Sequence, residues 1–406
     1  LDGRFRREAV SGRGSAELDS VRAWVVVMAA FAALFVVFGV AYSFGAFFDS
    51  ISTDFGTGRA AASVVFSLTS FVFFSFGAIS GPAADRFGPR PLLLIGAFAF
   101  GIGLAATAGA ERLWVAYLTY SIGVGVGVGC VYVPIIAAVG GWFARRRALA
   151  VGVAVSGIGL GILVATPVAA WLIEAHGWRT VYVGFAVVGS VMLLVSALLI
   201  SAPPTGTRSG SRQTGAALRA PAYRWLYLAN LLLCLALFVP FVYLPTSAED
   251  AGVGPTAAAG LVGVVGASSI AGRLVLGGVA DRAGPLRAYR ISFLLIGASF
   301  ALWWIGDGFL SLAAFAVVLG VGYGGFVALS PVVLADLFGV ERLGGLLGVL
   351  LTANAIGSAL GPPAVGLAAD ATGGYDAAII VLGLLGLAAY AALLPIDSLQ
   401  PAQEES

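Results

Sequence analysis

Arg273 is the residue of this 406-residue chain whose type and position most need a chemical reason. It lies in the stretch Ser268–Arg287, SSIAGRLVLGGVADRAGPLR, inside an apolar segment over residues 256–280 that contains no Asp or Glu. A guanidinium held in hydrocarbon costs at least about 2.5–3.5 kcal/mol. Arg273 is seven residues from the end of the segment, which is about 10 Å of helix. An arginine side chain reaches only about 6–7 Å, so full snorkelling needs water to enter. Two readings remain. The guanidinium grips an anion in a water-filled cavity through two parallel N–H bonds, or it is held internally by helix carbonyls or a polar network. Ser269, four residues earlier, shares its helix face. Asn354 and Ser358, one turn apart in a later apolar segment, are candidates to line the same cavity.

Other reactive residues suggest less. The only histidine, His176, has no ligand set around it, and Cys130 and Cys234 fall inside apolar segments, so neither a metal site nor a disulfide is expected. There is no phosphate-binding Gly-Lys-Ser/Thr loop and no nucleophile elbow, so no enzymatic activity and no cofactor are expected. The net charge of +2 gives no basis for a nucleic-acid partner.

The elements that must position Arg273 follow from composition. Sixty per cent of the residues are hydrophobic, 10% are charged, and the mean hydropathy is +1.00. A soluble chain carries about a quarter charged residues, so this one belongs in a bilayer. Its apolar runs do not alternate as barrel strands would. Twelve of them approach the length of about 20 residues that spans hydrocarbon as helix. They fall at about 23–48, 60–84, 92–110, 113–141, 148–173, 179–201, 225–248, 256–280, 290–306, 309–335, 343–369 and 375–396. The expected fold class is an all-α membrane protein of twelve transmembrane helices. The expected division is a tail over 1–21, a six-helix bundle over 22–201, a Pro/Gly/Ser-rich linker over 202–224, a second bundle over 225–396 and a tail over 397–406. All 22 basic residues are arginine. With the N-terminus inside, 18 fall on the inner side, three (Arg59, Arg112, Arg179) outside, and Arg273 within the membrane. That bias places both termini in the cytoplasm.

The halves repeat at an offset of 196: Asp85-Arg86-Phe87-Gly88-Pro89 maps onto Asp281-Arg282-Ala283-Gly284-Pro285, Gly129 onto Gly325, Gly161 onto Gly357 and Pro167 onto Pro363. A six-helix unit duplicated in the same orientation relates its halves by an axis along the membrane normal. Position 273 maps onto Gly77, so the arginine is an asymmetry that the repeat does not require. The Gly123/Gly127, Gly125/Gly129 and Gly157/Gly161 pairs suit close helix packing in lipid.

The turn Gly81-x-x-x-Asp85-Arg86-x-Gly88-x-Arg90 and its counterpart Gly277-x-x-x-Asp281-Arg282-x-Gly284 resemble the signature loop of the major facilitator superfamily. That resemblance implies a twelve-helix transporter in which these loops latch the cytoplasmic face. Gly141-Trp142-Phe143-Ala144-Arg145-Arg146-Arg147, Ser156-Gly157-Ile158-Gly159-Leu160-Gly161 and Gly177-Trp178-Arg179 are similar to the monocarboxylate transporter branch and its oxalate–formate exchanging relatives. So is Ala271-Gly272-Arg273, where those carriers keep a substrate-binding arginine. The resemblance further implies that Tyr323 and Tyr132 contact the substrate carboxylate. Ser269 stands where relatives often have aspartate, and Tyr42 where many have a lysine tied to proton coupling. No second cation occurs between Gly344 and Pro362, which favours a monocarboxylate over a dicarboxylate. The implied partners are a small organic anion, a coupling proton where one is used, and the lipid bilayer, with the monomer as the working unit and the plasma membrane as the location. An oxalate/formate exchanger, an exporter or sugar carrier with a structural Arg273, and a non-transporting membrane sensor are the alternatives.

Overall fold

In a computed structural model, the described residues are 20–143, 147–202, 214–306, 308–339 and 343–399. Most of the two expected tails, the middle of the expected linker and the arginine run Arg145–Arg146 lie outside them. Twelve helical segments are long and apolar enough to cross a membrane. The helices run Val21–Tyr42 with Phe44–Phe55, Arg59–Phe87, Pro89–Ala108, Leu113–Trp142, Arg147–His176 and Trp178–Leu199 in the first half. In the second half they run Pro221–Leu237 with Pro240–Asp250, Pro255–Ala283, Pro285–Ile305, Phe309–Phe338, Leu343–Thr372 and Asp376–Leu393. Below they are the first to twelfth spans. Part of the region read as linker is helical: a short helix covers Thr214–Arg219, and the seventh span begins at Pro221 rather than near 225.

Two features of the repeat are visible in the backbone. Gly88 (φ +81°) ends the second span and Gly284 (φ +93°) ends the eighth, and each is followed by a proline that opens the next helix. Positive φ suits glycine, and proline at the first helical position gives up an N–H that has no partner there anyway. The first and seventh spans are also both interrupted, at Ser43 and at Phe238-Val239, positions again related by 196. The Ser43 hydroxyl donates to the Val40 carbonyl at 2.9 Å. Pro240 cannot donate to the carbonyl four residues before it. By contrast Pro134, Pro167, Pro331 and Pro362-Pro363 sit inside continuous helices.

Small residues set how closely the helices approach. A methyl group added at Gly127 would lie 3.0 Å from the Phe100 side chain, and one at Gly125 2.7 Å from Val72. One at Gly157 or Gly161 would press on the backbone of the first span at Phe31 or Phe35. All three expected small-residue pairs therefore work as helix contacts within the first half. Across the halves the second span packs on the eleventh and the fifth on the eighth, the latter through facing glycines at 159 and 266.

With an even number of spans, the first span begins and the twelfth ends on one face. Among the described residues, six hydrogen bonds join the halves. Five are at the helix ends of the opposite face, and the sixth, between Tyr42 and Tyr323, is deep in the bundle.

Candidate functional site

Three of the residues singled out in the sequence are brought together around Arg273. The three guanidinium nitrogens are buried and have no hydrogen-bond partner, while the residue as a whole keeps some exposure, which therefore falls on its carbon atoms. Tyr323 from the tenth span, Tyr132 from the fourth and Tyr42 from the first lie within electrostatic reach of the guanidinium. No carboxylate does among the described residues. The cation thus faces three phenols, contributed by both halves, and no counter-charge.

The phenols are held by aromatic packing. Tyr42 lies beside the interruption of the first span, and its ring meets Phe241, just past the interruption of the seventh, at 4.4 Å between centroids. Phe241 also meets Tyr323 at 5.6 Å, and the Tyr323 hydroxyl donates to that of Tyr42 at 3.3 Å. Phe38, one turn before Tyr42, contacts the ring of Tyr132 at 5.5 Å. Sequence reasoning missed Phe241 and Phe38. A signal for Phe241 existed: at the repeat offset it maps onto Gly45, three residues after Tyr42. A side chain at Gly45 would meet the Phe241 carbonyl and Pro245 of the other half, so the glycine admits the segment that carries the Phe241 ring.

Arg273 and Tyr323 are carried by one helix crossing. A methyl group added at Gly272 would collide with the Val321 carbonyl, and one at Gly324 with the Ser269 carbonyl. The eighth and tenth spans therefore touch backbone to backbone on either side of the pair. Ser269 is buried at this crossing, and its hydroxyl donates to the Gly266 carbonyl of its own helix at 2.7 Å. It shares the helix face with Arg273 but spends its proton locally. Asn354 is one step further away. Its Oδ1 accepts from the Cys234 thiol at 3.4 Å, and that thiol lies within electrostatic reach of Tyr42 and Tyr323. Ser358 bonds the Ala355 carbonyl in its own helix. Both cysteines are free and buried.

The two Asp-Arg turns are far from this centre, on the face where the first span begins and the twelfth ends. Arg86, Arg90, Asp281 and Arg282 are exposed there, with the Arg86 guanidinium over the Phe87 ring at 5.0 Å. Gly81 packs near Val133 (3.2 Å for an added methyl), whereas Gly277 faces open space. The Asp85 side chain lies outside what the structure describes; among the described residues no ion pair joins one turn to the other. The two that are present, Arg59–Asp250 and Arg179–Asp54, lie on the opposite face.

The sequence matches the model of the Major Facilitator Superfamily over residues 30–309 and 228–406. It is 30% identical to "Monocarboxylate transporter 13" of Bos taurus, covering 92% of this chain and 89% of that one. It is 30% identical to "Monocarboxylate transporter 3" of Rattus norvegicus, covering 91% and 79%. It is 28% identical to "MFS-type transporter 1" of an Ophiocordyceps species, covering 90% and 82%. Among solved structures, the fold is similar to the nucleoside transporter NupG, with a TM-score of 0.74 over 92% of this chain and 99% of that chain, at 13% identity. It is also similar to a bacterial homologue of the lysosomal transporter Spinster, solved inward-facing and unoccupied, with a TM-score of 0.71 over 94% and 97%, at 14% identity.

Proposed function

The chain belongs to the Major Facilitator Superfamily, a multi-pass transporter of a small molecule, and we propose that its substrate is a small organic monocarboxylate of the lactate or pyruvate kind. The observation that carries this reading is the buried Arg273 guanidinium, which among the described residues has no hydrogen-bond partner and no carboxylate within reach. A carboxylate bound there gains two charge-assisted bonds and relieves the cost of the lone charge. Tyr323, Tyr132 and Tyr42 supply neutral donors beside it. One cation matches one negative charge, which favours a monocarboxylate over oxalate.

In this reading the protein works in the plasma membrane with both termini in the cytoplasm, as the arginine bias directs. The conformation described here is sealed by hydrogen bonds on the outer face. Transport alternates between this arrangement and one in which the Asp85-Arg86 and Asp281-Arg282 turns latch the cytoplasmic face. Ser269 and Tyr42 hold no exchangeable charge near neutral pH, so a proton, where one is coupled, binds elsewhere.

The test is uptake of labelled lactate, pyruvate, formate and oxalate into proteoliposomes, with and without a pH gradient, for the parent and Arg273→Lys. We expect uptake of a monocarboxylate by the parent and a loss of at least about tenfold for Arg273→Lys, because lysine cannot make the paired contact. Equal uptake by the two would remove the binding role of Arg273. Uptake of neutral sugars with no carboxylate carried would make Arg273 structural.

A further inference from the structure

The outer face contains an arginine that the transport reading leaves unused. Arg59 is the first residue of the second span, in the first half. Its guanidinium pairs with Asp250, at the end of the seventh span in the other half, at 3.0 Å. The same guanidinium lies over the ring of Tyr375, at the start of the twelfth span, 4.9 Å from its centroid. Its carbonyl accepts from the Tyr243 hydroxyl at 3.2 Å. One residue thus touches three residues of the opposite half by three different kinds of contact.

Its surroundings make the cation more than one ion pair among several. The second span starts at Gly58, which offers no side-chain cap. The cap comes instead from the other half: the Asp370 carboxylate accepts from the Ala60 N–H at 3.4 Å. Asp49, in the first span, accepts from the Thr246 hydroxyl of the seventh at 3.0 Å and lies within electrostatic reach of Arg59. Closing this face therefore brings Asp49 of one half towards Asp250 and Asp370 of the other. Arg59 is the cation that sits among them.

We infer that Arg59 is the key of a charge lock that holds the two halves together on the face opposite the start of the first span, with Asp250 and the Tyr375 ring as its seat. Opening that face must pull the guanidinium from both and uncap the second span, and closing must restore all three. The lock sets how the carrier divides its time between its two conformations. It is separate from what binds at Arg273.

The experiment measures the gap directly and needs no substrate. Spin labels are placed through Thr53→Cys and Ala251→Cys, both exposed at this face, one in each half; the native cysteines are buried. Distances are read by pulsed electron resonance in the parent, Arg59→Ala, Asp250→Asn and the double variant. Arg112→Ala, an exposed arginine of the same face, is the control. The parent should be mainly in a short-distance population. Arg59→Ala should raise the ratio of long to short by about tenfold, the combined effect of a part-exposed ion pair and a cation–π contact, and Asp250→Asn by about two- to fivefold, because it removes the ion pair and leaves the Tyr375 contact. The double variant should go no further than the larger single, because both remove the same lock. The inference is overturned if Arg59→Ala changes the ratio less than twofold, if the double variant shows the product of the two singles, or if the parent is already in the long-distance population. Asp250→Asn, nearly isosteric, keeps the test readable should Arg59→Ala fold poorly. Because uptake plays no part, failure here leaves the carboxylate reading intact, and failure there leaves the lock intact.

Discussion

Replacing Arg273 with methionine should make the protein more stable while abolishing transport. The guanidinium nitrogens are buried without partners, so little is lost with them. A central arginine costs about 2.5–3.5 kcal/mol on insertion scales, and methionine fills the same volume with an unbranched apolar chain. With about half of that cost discounted for residual screening, the expected gain is about 1–2 kcal/mol. If the guanidinium were held by helix carbonyls or side chains, the sign would reverse. Each buried group left without its donor would then cost about 1–3 kcal/mol. Cys130 and Cys234 are free and buried, so a thiol-reactive dye reports thermal unfolding in detergent without further labelling. Arg273→Met should melt a few degrees above the parent. Added monocarboxylate at a hundred times its dissociation constant should stabilise the parent by about 2.7 kcal/mol and leave the variant unmoved. A variant that melts below the parent, or that is still stabilised by the anion, refutes the argument that an unpaired charge waits for a ligand.

Three further outcomes are expected. Tyr323→Phe and Tyr42→Phe each remove one end of the 3.3 Å hydroxyl contact. Each should cost about 0.5–1.5 kcal/mol of stability, measured by the same dye, and uptake kinetics should show a half-saturation raised several-fold with little change in maximal rate. Gly45→Ala adds a methyl 2.6 Å from the Phe241 carbonyl of the other half; it should raise the long-distance population between labels at Thr53 and Ala251 without touching Arg59. Gly272→Ala, which collides with the Val321 carbonyl, should lower stability by about 1–3 kcal/mol. Gly277→Ala, one turn further along and facing open space, should be neutral in the melting assay.

The parts of this molecule legible in the sequence are those that repeat or that depend on neighbours along the chain. Hydrophobic runs located the twelve spans, because a helix in lipid must satisfy its own backbone. The Gly88-Pro89 and Gly284-Pro285 turns were legible because positive φ and a missing N–H are written in residue type. Arg273 stood out because charge in an apolar run is costly wherever it points. The contacts between halves were hidden. Arg59 read as one outside-loop charge in the orientation count, since nothing local marks Asp250, 191 residues away, as its partner. The ring of Phe241 on Tyr42 had only the repeat offset onto Gly45 to mark it, and the use of the Ser269 hydroxyl within its own helix had no mark at all. These depend on which helix faces are brought together, and periodicity in so uniformly apolar a chain says little about faces.

The duplication also explains where the chemistry is. At the offset of 196, Phe76 corresponds to Gly272 and Gly125 to Val321. In the first half the fourth span supplies the small residues: a methyl at Gly125 would meet Val72, and one at Gly129 would meet Phe76 at 2.9 Å. In the second half the eighth span contributes Gly272 to the equivalent crossing, against Val321, and the tenth contributes Gly324 against Ser269. The same crossing is kept with the large and small residues partly exchanged. The position after the exchange differs accordingly. Gly77 is buried against Val133 in the first half, while Arg273 carries a charge among three phenols in the second. A symmetric pair of arginines would place two cations in one cavity and favour a dianion. In the proposed reading, a single arginine with the fold left symmetric gives a site of one charge; the frame of the carrier then lies in what the copies share, and its selectivity in the few positions where they differ.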